Sequence, residues 1–491
     1  MVQPSVSDLV RSVAHKLPPI DDPEFGSHFD QYGQARVVLI GDASSVEVSL
    51  SAHIDLVPVL VNQASDDLLV PSRAMRGGPS DTFFHTLRHG TSEFYRARAA
   101  ITQRLVEQHD FNIVAIEGDW PDARAVDRYV RYDPSTSETS KLRVFDHFPR
   151  WMWRNTEVQG FVDWLRKHNA QLSPGQRTMF IGLDLYSMST SIKAVIEYLD
   201  KVDPETAAVA RKRYSCLIPW ADDPAQYGRM AMSKGYGPCE AGVMAMLRDL
   251  MQKRADYAQA GNDGDGFLDA EMNARVVADS EKYYRAMYYG DNQSWNLRDT
   301  HMFQTLARLM KLKPGSKAVV WAHNSHVGDA RATAMGENRD EINLGQLCRK
   351  HFTNPGDVTI IGTGTDGGPD CTVAAADEWD EPMKVMKVNP SREDSYERVM
   401  HNTGIPSFTL DLREGFQDAE VLKALEKPRL ERFIGVIYRP DTERWSHYMK
   451  ACLTKQFDAF VWFDKSKAVH AFETAQPKES PSKGETYPFG L

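Results

Sequence analysis

The chain has 491 residues, of which 42% are hydrophobic and 26% charged, an ordinary globular composition with enough length for a large core and two or three domains. Its net charge of −10 excludes the basic footprint of a nucleic-acid binder and does not favour an anionic membrane surface. No apolar run approaches the length of a membrane span, the opening MVQPSVSDLVRSVAHKL lacks the apolar stretch of a secretion signal, and the 5 cysteines form no Cys-x-x-Cys pair, so the expectation is a cytoplasmic, reduced protein with neither a disulfide framework nor a zinc ribbon.

Taken in chain order, residues 1–30 read as a polar lead-in. Val37–Ile40 is apolar throughout, as a strand buried on both faces must be, and runs into Gly41-Asp42. Residues 45–88 carry no clean helical or strand period. Glu93–Gln108 has apolar positions at helical spacing, and Asn112–Ile116 is a second buried strand ending at Glu117-Gly-Asp-Trp-Pro. Strand, helix and strand in that order predict a parallel βαβ unit. Thr178–Gly182 is a third strand, closing at Asp184, and the pattern from Ser187 to Met310 is almost wholly helical. Ala318–Ala322 returns to strand and ends at His323; Val358–Gly362, Phe433–Tyr438 and Phe460–Phe463 are further strands, and the tail 476–491 has a disordered composition. The fold class that follows is α/β: a parallel-sheet core with helices on both faces, assembled from residues 31–186 and 311–475, with a large helical insertion over 187–310 forming a lid over the cleft.

Ligands of parallel sheets bind beyond the carboxyl ends of the strands. Here those ends carry Asp42 with His89, Glu117 with Asp119, Asp184, and His323 with His326. An imidazole at the start of a helix, as at His89, stays neutral and can take a proton from water; alone, the same residue reads as a helix cap. Glu117 at a strand end can orient or receive a proton, while Asp119 is placed to cap the next helix ahead of Pro121. His323 and His326 in WAHNSHVGD can polarise a carbonyl or protonate a departing alkoxide, or simply bond the loop backbone. With His89 they would also meet the ligand count of a zinc site, although no His-Glu-x-x-His motif is present. Arg298, in SWNLRDTHM, suits an anion, or a surface ion pair of little worth. Gly362-Thr-Gly-Thr-Asp-Gly fits a dinucleotide fingerprint by letter but lacks the helix that must follow, and neither a Gly-x-Ser-x-Gly elbow nor a P-loop occurs.

Joined across residues 45–88, VVLIGDAS (37–44) and HGTSEFYRAR (89–98) form one signature. With VAIEGDWPDA, FPRWMWRNTEV, GLDLYS, NLRDTHM, VVWAHNSHVGD, IGVIYRPDTERWSHYM and QFDAFVWFD, the chain resembles the erythromycin esterase family over nearly its whole length. The resemblance implies hydrolysis of an ester, in macrolide-resistance members a macrocyclic lactone, with no required metal or cofactor and a small-molecule substrate as partner. It maps the essential histidine to His89, the second-strand glutamate to Glu117, an arginine of the following helix to Arg98, the late histidine pair to His323 and His326, and the glutamate of the first Gly-Glu to Asp42, one methylene shorter. Arg98 and Arg298 then stand as candidate anion stabilisers. Residues 45–88 are either a translated intron or a genuine surface excursion. The alternatives to an esterase are a metal-dependent hydrolase using His89, His323 and His326, and a binding protein with a degenerate site.

Overall fold

A computed structural model describes residues 4–43, 90–134, 145, 150–221, 223–231, 233, 237–260, 264–288, 292–378 and 381–472. Its strands are β1 (His15–Lys16), β2 (Val37–Ile40), β3 (Ile113–Asp119), β4 (Met179–Asp184), β5 (Ala318–Trp321), β6 (Val358–Thr365), β7 (Thr372–Ala375), β8 (Lys384–Lys387), β9 (Ser407–Asp411), β10 (Arg429–Arg432), β11 (Tyr448–Ala451) and β12 (Ala459–Phe463). Eight of them form one sheet in the order β1-β9-β12-β6-β2-β5-β3-β4. From β12 to β4 every neighbouring pair is parallel. β9 and β1 finish one edge antiparallel.

The apolar runs have a simple cause. Val38 and Ile40 of β2 face one apolar cluster, with Phe94, Ile101, Val114 and Trp321. Val37 and Leu39 face the other, with Met302, Leu306, Val320 and Leu344. Each side chain of this kind contributes about 1.5–3 kcal/mol when fully buried, so a four-residue strand clad on both sides is held by its side chains as much as by its ladder. The helix Ser92–Gln108 belongs to the first face, and the helix Gln293–Leu312 to the second.

Between 187 and 310 the described residues are mainly helical. The region includes Met188–Val202, Pro204–Tyr214, Glu240–Gln252, Gly264–Ala286 and Gln293–Leu312. Val195, Leu199, Tyr214, Met246, Tyr283 and Tyr284 give it an apolar cluster of its own. No helix among the described residues is long and apolar enough to cross a membrane.

Several expectations change. The polar lead-in holds a helix, Val6–Val13, with a capping box between Ser5 and Asp8, and β1, which pairs with β9. Phe433–Tyr438 is not a strand: Phe433 donates its N–H to His447, Ile434 to Ala43 and Tyr438 to Ala376, so its apolar side chains are buried by a winding segment rather than by a ladder. Two of the three glycines of the apparent fingerprint, Gly362 and Gly364, lie inside β6, where a Cβ on Gly362 would come within 2.8 Å of the Phe457 ring and one on Gly364 within 2.6 Å of Phe460. They are small because two aromatic rings press on them. Cys216 and Cys239 are joined as a disulfide, with 6.0 Å between their Cα atoms, a single bridge where the sequence predicts no disulfide framework; folding of the helical region, not sequence spacing, brings them together. His89, residues 45–88 and the tail 476–491 lie outside the described residues.

Candidate active site

The polar residues gather at the carboxyl ends of β2, β3, β4 and β5. The bend that presents Glu117 is a register shift of β3 against β4 between Ile116 and Asp119. Gly182 on β4 permits it, since a Cβ there would lie 2.3 Å from the Asp119 carbonyl oxygen. Trp153 donates its indole N–H to the Glu117 carbonyl at 3.2 Å, fixing the bend from outside. Asp119 begins the next helix but does not cap it with its side chain; Oδ1 accepts the Tyr186 N–H at 2.9 Å instead.

Arg298 is the hub. Its Nη2 lies 2.7 Å from Glu117 Oε1 and 2.7 Å from Asp184 Oδ2, its Nε 3.0 Å from Asp184 Oδ1, and its Nη1 2.9 Å from His326 Nε2. Tyr186 places its ring 5.2 Å from the guanidinium carbon. Burial works against the charge, but Asp184, Tyr186 and Glu117 outweigh it and hold the pKa well above the usual arginine value.

His326 is held from the other side by Asp299, whose Oδ2 is 2.8 Å from Nδ1. Asp299 also accepts the Leu344 N–H at 2.8 Å. Trp295 stacks on the imidazole at 4.4 Å with 12° between planes, its own indole N–H bonded to the Ile342 carbonyl. Burial pulls the His326 pKa down, yet Asp299 and Glu117 lift it to about 9. Burial pushes Asp299 up as well, partly offset by His326 and Arg298. A guanidinium only donates, so the Arg298 contact belongs to the neutral ring with its proton on Nδ1. When Nε2 is protonated its acceptor is Glu117 Oε1, 3.4 Å away.

His323 caps the short helix Asn324–Val327: its Nδ1 accepts the Ser325 N–H at 3.0 Å, which places the proton of the neutral ring on Nε2. Its backbone N–H donates to Glu117 Oε2 at 3.0 Å, and its ring meets Phe433 edge-on at 5.9 Å. Asn324 ties this loop to the sheet, donating its backbone N–H to the Asp42 carbonyl at 2.8 Å and its side-chain N–H to the Thr363 carbonyl at 2.9 Å. A Cβ on Gly41 would sit 2.0 Å from Asn324 Oδ1, so only glycine leaves room for the tie.

Asp42 and Arg98 meet at 2.9 Å, both fully buried. The Arg98 guanidinium carbon lies 4.4 Å from the Tyr95 ring and 5.4 Å from that of Trp321. Across residues 45–88, Gly90 is anchored too: its carbonyl accepts the N–H groups of Ala374 at 3.0 Å and Val469 at 3.1 Å. Thr91 is the N-cap of the helix expected to begin at His89, and Glu93 turns aside to accept the Lys467 N–H.

Of the seven residues expected at the site, Glu117, Arg298, His323 and His326 form one connected network, and Asp42 with Arg98 forms a pair joined to it through Asn324. His89 lies outside the described residues. Asp299 and Asp184 were visible in the sequence as polar residues beside the candidates, and the structure draws both into the network. Trp295 and Tyr186 carried no assignment. Trp295, Arg298 and Asp299 are spaced i, i+3, i+4, which puts them on one helix face and was the available signal. The residues do not suit a metal at His326, because the lone pair that would bind it faces a guanidinium. Among the described residues no group of three or more His, Cys, Asp or Glu is disposed to hold a metal ion.

The profile of the family described as erythromycin esterase matches residues 106–466, well over half of the chain. The Bacillus subtilis (strain 168) protein YbfO, a hydrolase by name, is 22% identical over 439 residues, covering 82% of this chain and 87% of its own. A solved protein of Bacillus cereus superposes with a TM-score of 0.72 at 17% identity, over 95% of this chain and 98% of its own. A histidine-to-asparagine mutant of the erythromycin esterase EreC, in its open conformation, superposes with a TM-score of 0.63 at 15% identity, over 95% of this chain and 99% of its own. At these identities the superpositions bear on the fold alone.

Proposed function

Because the chain belongs to the erythromycin esterase family, we propose that it hydrolyses a carboxylic ester or lactone of a small molecule, with His89 as the general base toward water. The observation that carries this reading is the Arg298 hub, where one buried cation holds Glu117, Asp184 and His326 together at the carboxyl ends of three strands. Such a network is expensive to bury and is retained where charges must be presented in fixed geometry.

In this reading His89 accepts a proton as water oxygen bonds to the carbonyl carbon. Glu117 orients the bases, since its two oxygens answer the His323 backbone and Arg298. His323, with its neutral-ring proton on Nε2, donates to the substrate oxygen. The same His323 Nε2–H passes its proton to the departing alkoxide as the ester C–O bond breaks, while His326, enclosed by Arg298, Asp299 and Trp295, holds Arg298 and Glu117 in place. The products are the acid and the alcohol. Arg98 and Arg298 are fully buried against carboxylates, so we assign them to positioning rather than to direct contact with the oxyanion.

The test is a hydrolysis screen over simple aryl esters, lactones and macrolides, the last suggested by the name of EreC. Turnover by the wild type that disappears in Glu117→Gln supports the reading. Absence of ester or lactone turnover, with tight binding of the same compounds, would replace it with the degenerate binding protein.

A further inference from the structure

A concavity lies at the end of the strands opposite the candidate active site. Arg36 immediately precedes β2, and Phe352 precedes β6, so this cavity of about 460 Å³ opens at their amino ends, away from Asp42 and the histidine loop. Its size falls within the range of small-molecule sites, roughly 300–1,000 Å³. Four cations reach its wall: Arg36, Arg275, Arg308 and Lys311. On a chain of net charge −10 that concentration is unusual.

Among the described residues the carboxylates answering these cations are few. Arg275 and Arg308 both direct Nε at the same oxygen of Glu271, which is 1% exposed. Arg36 has a loose partner, Asp357 at 3.6 Å. Asp279 is engaged by His301 at 2.8 Å and by Lys282 at 3.5 Å. Burial, and after it the neighbouring Arg308, depress the Arg275 pKa despite the opposing pull of Glu271 and Asp279. The rest of the wall is aromatic: His351 meets Phe303 edge-on at 5.3 Å and Phe352 at 4.8 Å, and the Arg36 guanidinium lies 5.0 Å from the Phe352 ring.

We propose that this cavity binds a small anion of the nucleoside monophosphate class, its phosphate held by the outward N–H groups of Arg275 and Arg308 and its base lying against Phe303, Phe352 and Arg36. Two guanidiniums sharing one carboxylate leave N–H donors in the fork geometry that suits a phosphate. Aromatic edges and a cation suit the face of a flat ring.

The experiment is calorimetric titration of the full chain with AMP, adenosine and inorganic phosphate, alongside Arg308→Gln and the exposed variant Arg36→Ala. Saturable AMP binding, about tenfold or more tighter than either fragment and weakened about tenfold by each substitution, supports the site. Arg36→Ala removes no buried partner, so it reads the site even if Arg308→Gln unfolds the protein by stranding Glu271. Phosphate binding as tightly as AMP overturns the aromatic half of the proposal. No saturation by AMP, or saturation that Arg36→Ala leaves unchanged, overturns it entirely.

Discussion

Nη1 of Arg298 lies 2.9 Å from Nε2 of His326, while Asp299 holds the opposite nitrogen of the same ring at 2.8 Å. The imidazole therefore sits between a cation and an anion, and its proton decides which neighbour Nε2 serves. Neutral, Nε2 accepts from Arg298; charged, it donates toward Glu117.

That arrangement fixes a pH dependence. The folded-state pKa of His326 is raised from 6.5 to about 9, so its stabilising contribution is full below pH 6.5 and is lost as pH rises through about 9. Asp299→Asn removes the nearer carboxylate charge and should flatten this decline. Denaturant unfolding from about pH 6 to about pH 10 checks it; parallel curves for wild type and variant would show that Asp299 does not set the titration.

Removing the hub should be severe. Arg298→Met leaves Glu117 and Asp184 buried beside a neutral side chain, and stranding a buried ion costs about 3–5 kcal/mol. Arg298→Lys keeps the charge but not the fork, so it should fold and lose rate. If the lysine variant hydrolyses ester with wild-type kcat/KM, the directed N–H geometry is irrelevant to turnover.

His89→Ala should lower kcat by about 10²–10⁴-fold while leaving the unfolding midpoint unchanged. The comparison is steady-state kinetics beside thermal unfolding on the same preparation. Near-wild-type kcat removes His89 from the mechanism.

Asp42 and Arg98 make a clean double-mutant cycle. Asp42→Leu alone removes the carboxylate 2.9 Å from a buried guanidinium, and Arg98→Met alone removes the cation beside a buried carboxylate. The double substitution should be less destabilising than the sum of the two by about 1–3 kcal/mol. Additivity would mean that the 2.9 Å contact carries no coupling.

Deleting residues 45–88 should give a protein at least as stable as the full chain and more active. The flanks are held without it: Ala43 accepts the Ile434 N–H at 3.0 Å, and Gly90 is bonded to Ala374 and Val469. Insolubility, or lower activity than the full chain, would make 45–88 a working part of the structure.

Much of the core was legible because a strand buried on both faces must be apolar at every position, as VVLI, IVAI and AVVW are. The same rule misread Phe433–Tyr438. That run is just as apolar, but its backbone N–H groups turn to His447, Ala43 and Ala376 in three separate places, and no composition encodes a partner. At the site, strand ends pointed to Glu117, Asp184 and His323 because topology puts ligands there. Trp295 was opaque by comparison: an aromatic residue on a helix is usually core, and only the orientation of His326 gives this one another role. The disulfide was hidden for a related reason, since pairing depends on how distant helices dock.

One residue from each half of the split signature meets its counterpart in space. Asp42 and Arg98 meet although residues 45–88 stand between them, and neither needs the connecting chain to find the other: one hangs from the end of β2, the other from a helix clamped to the same sheet. The link between them is therefore free to vary in length, and evolution or a protein engineer can load this junction with new sequence while the charge pair keeps the two halves in register. A sensor domain or affinity module spliced into residues 45–88 would report from a few residues away on a charge pair it leaves assembled.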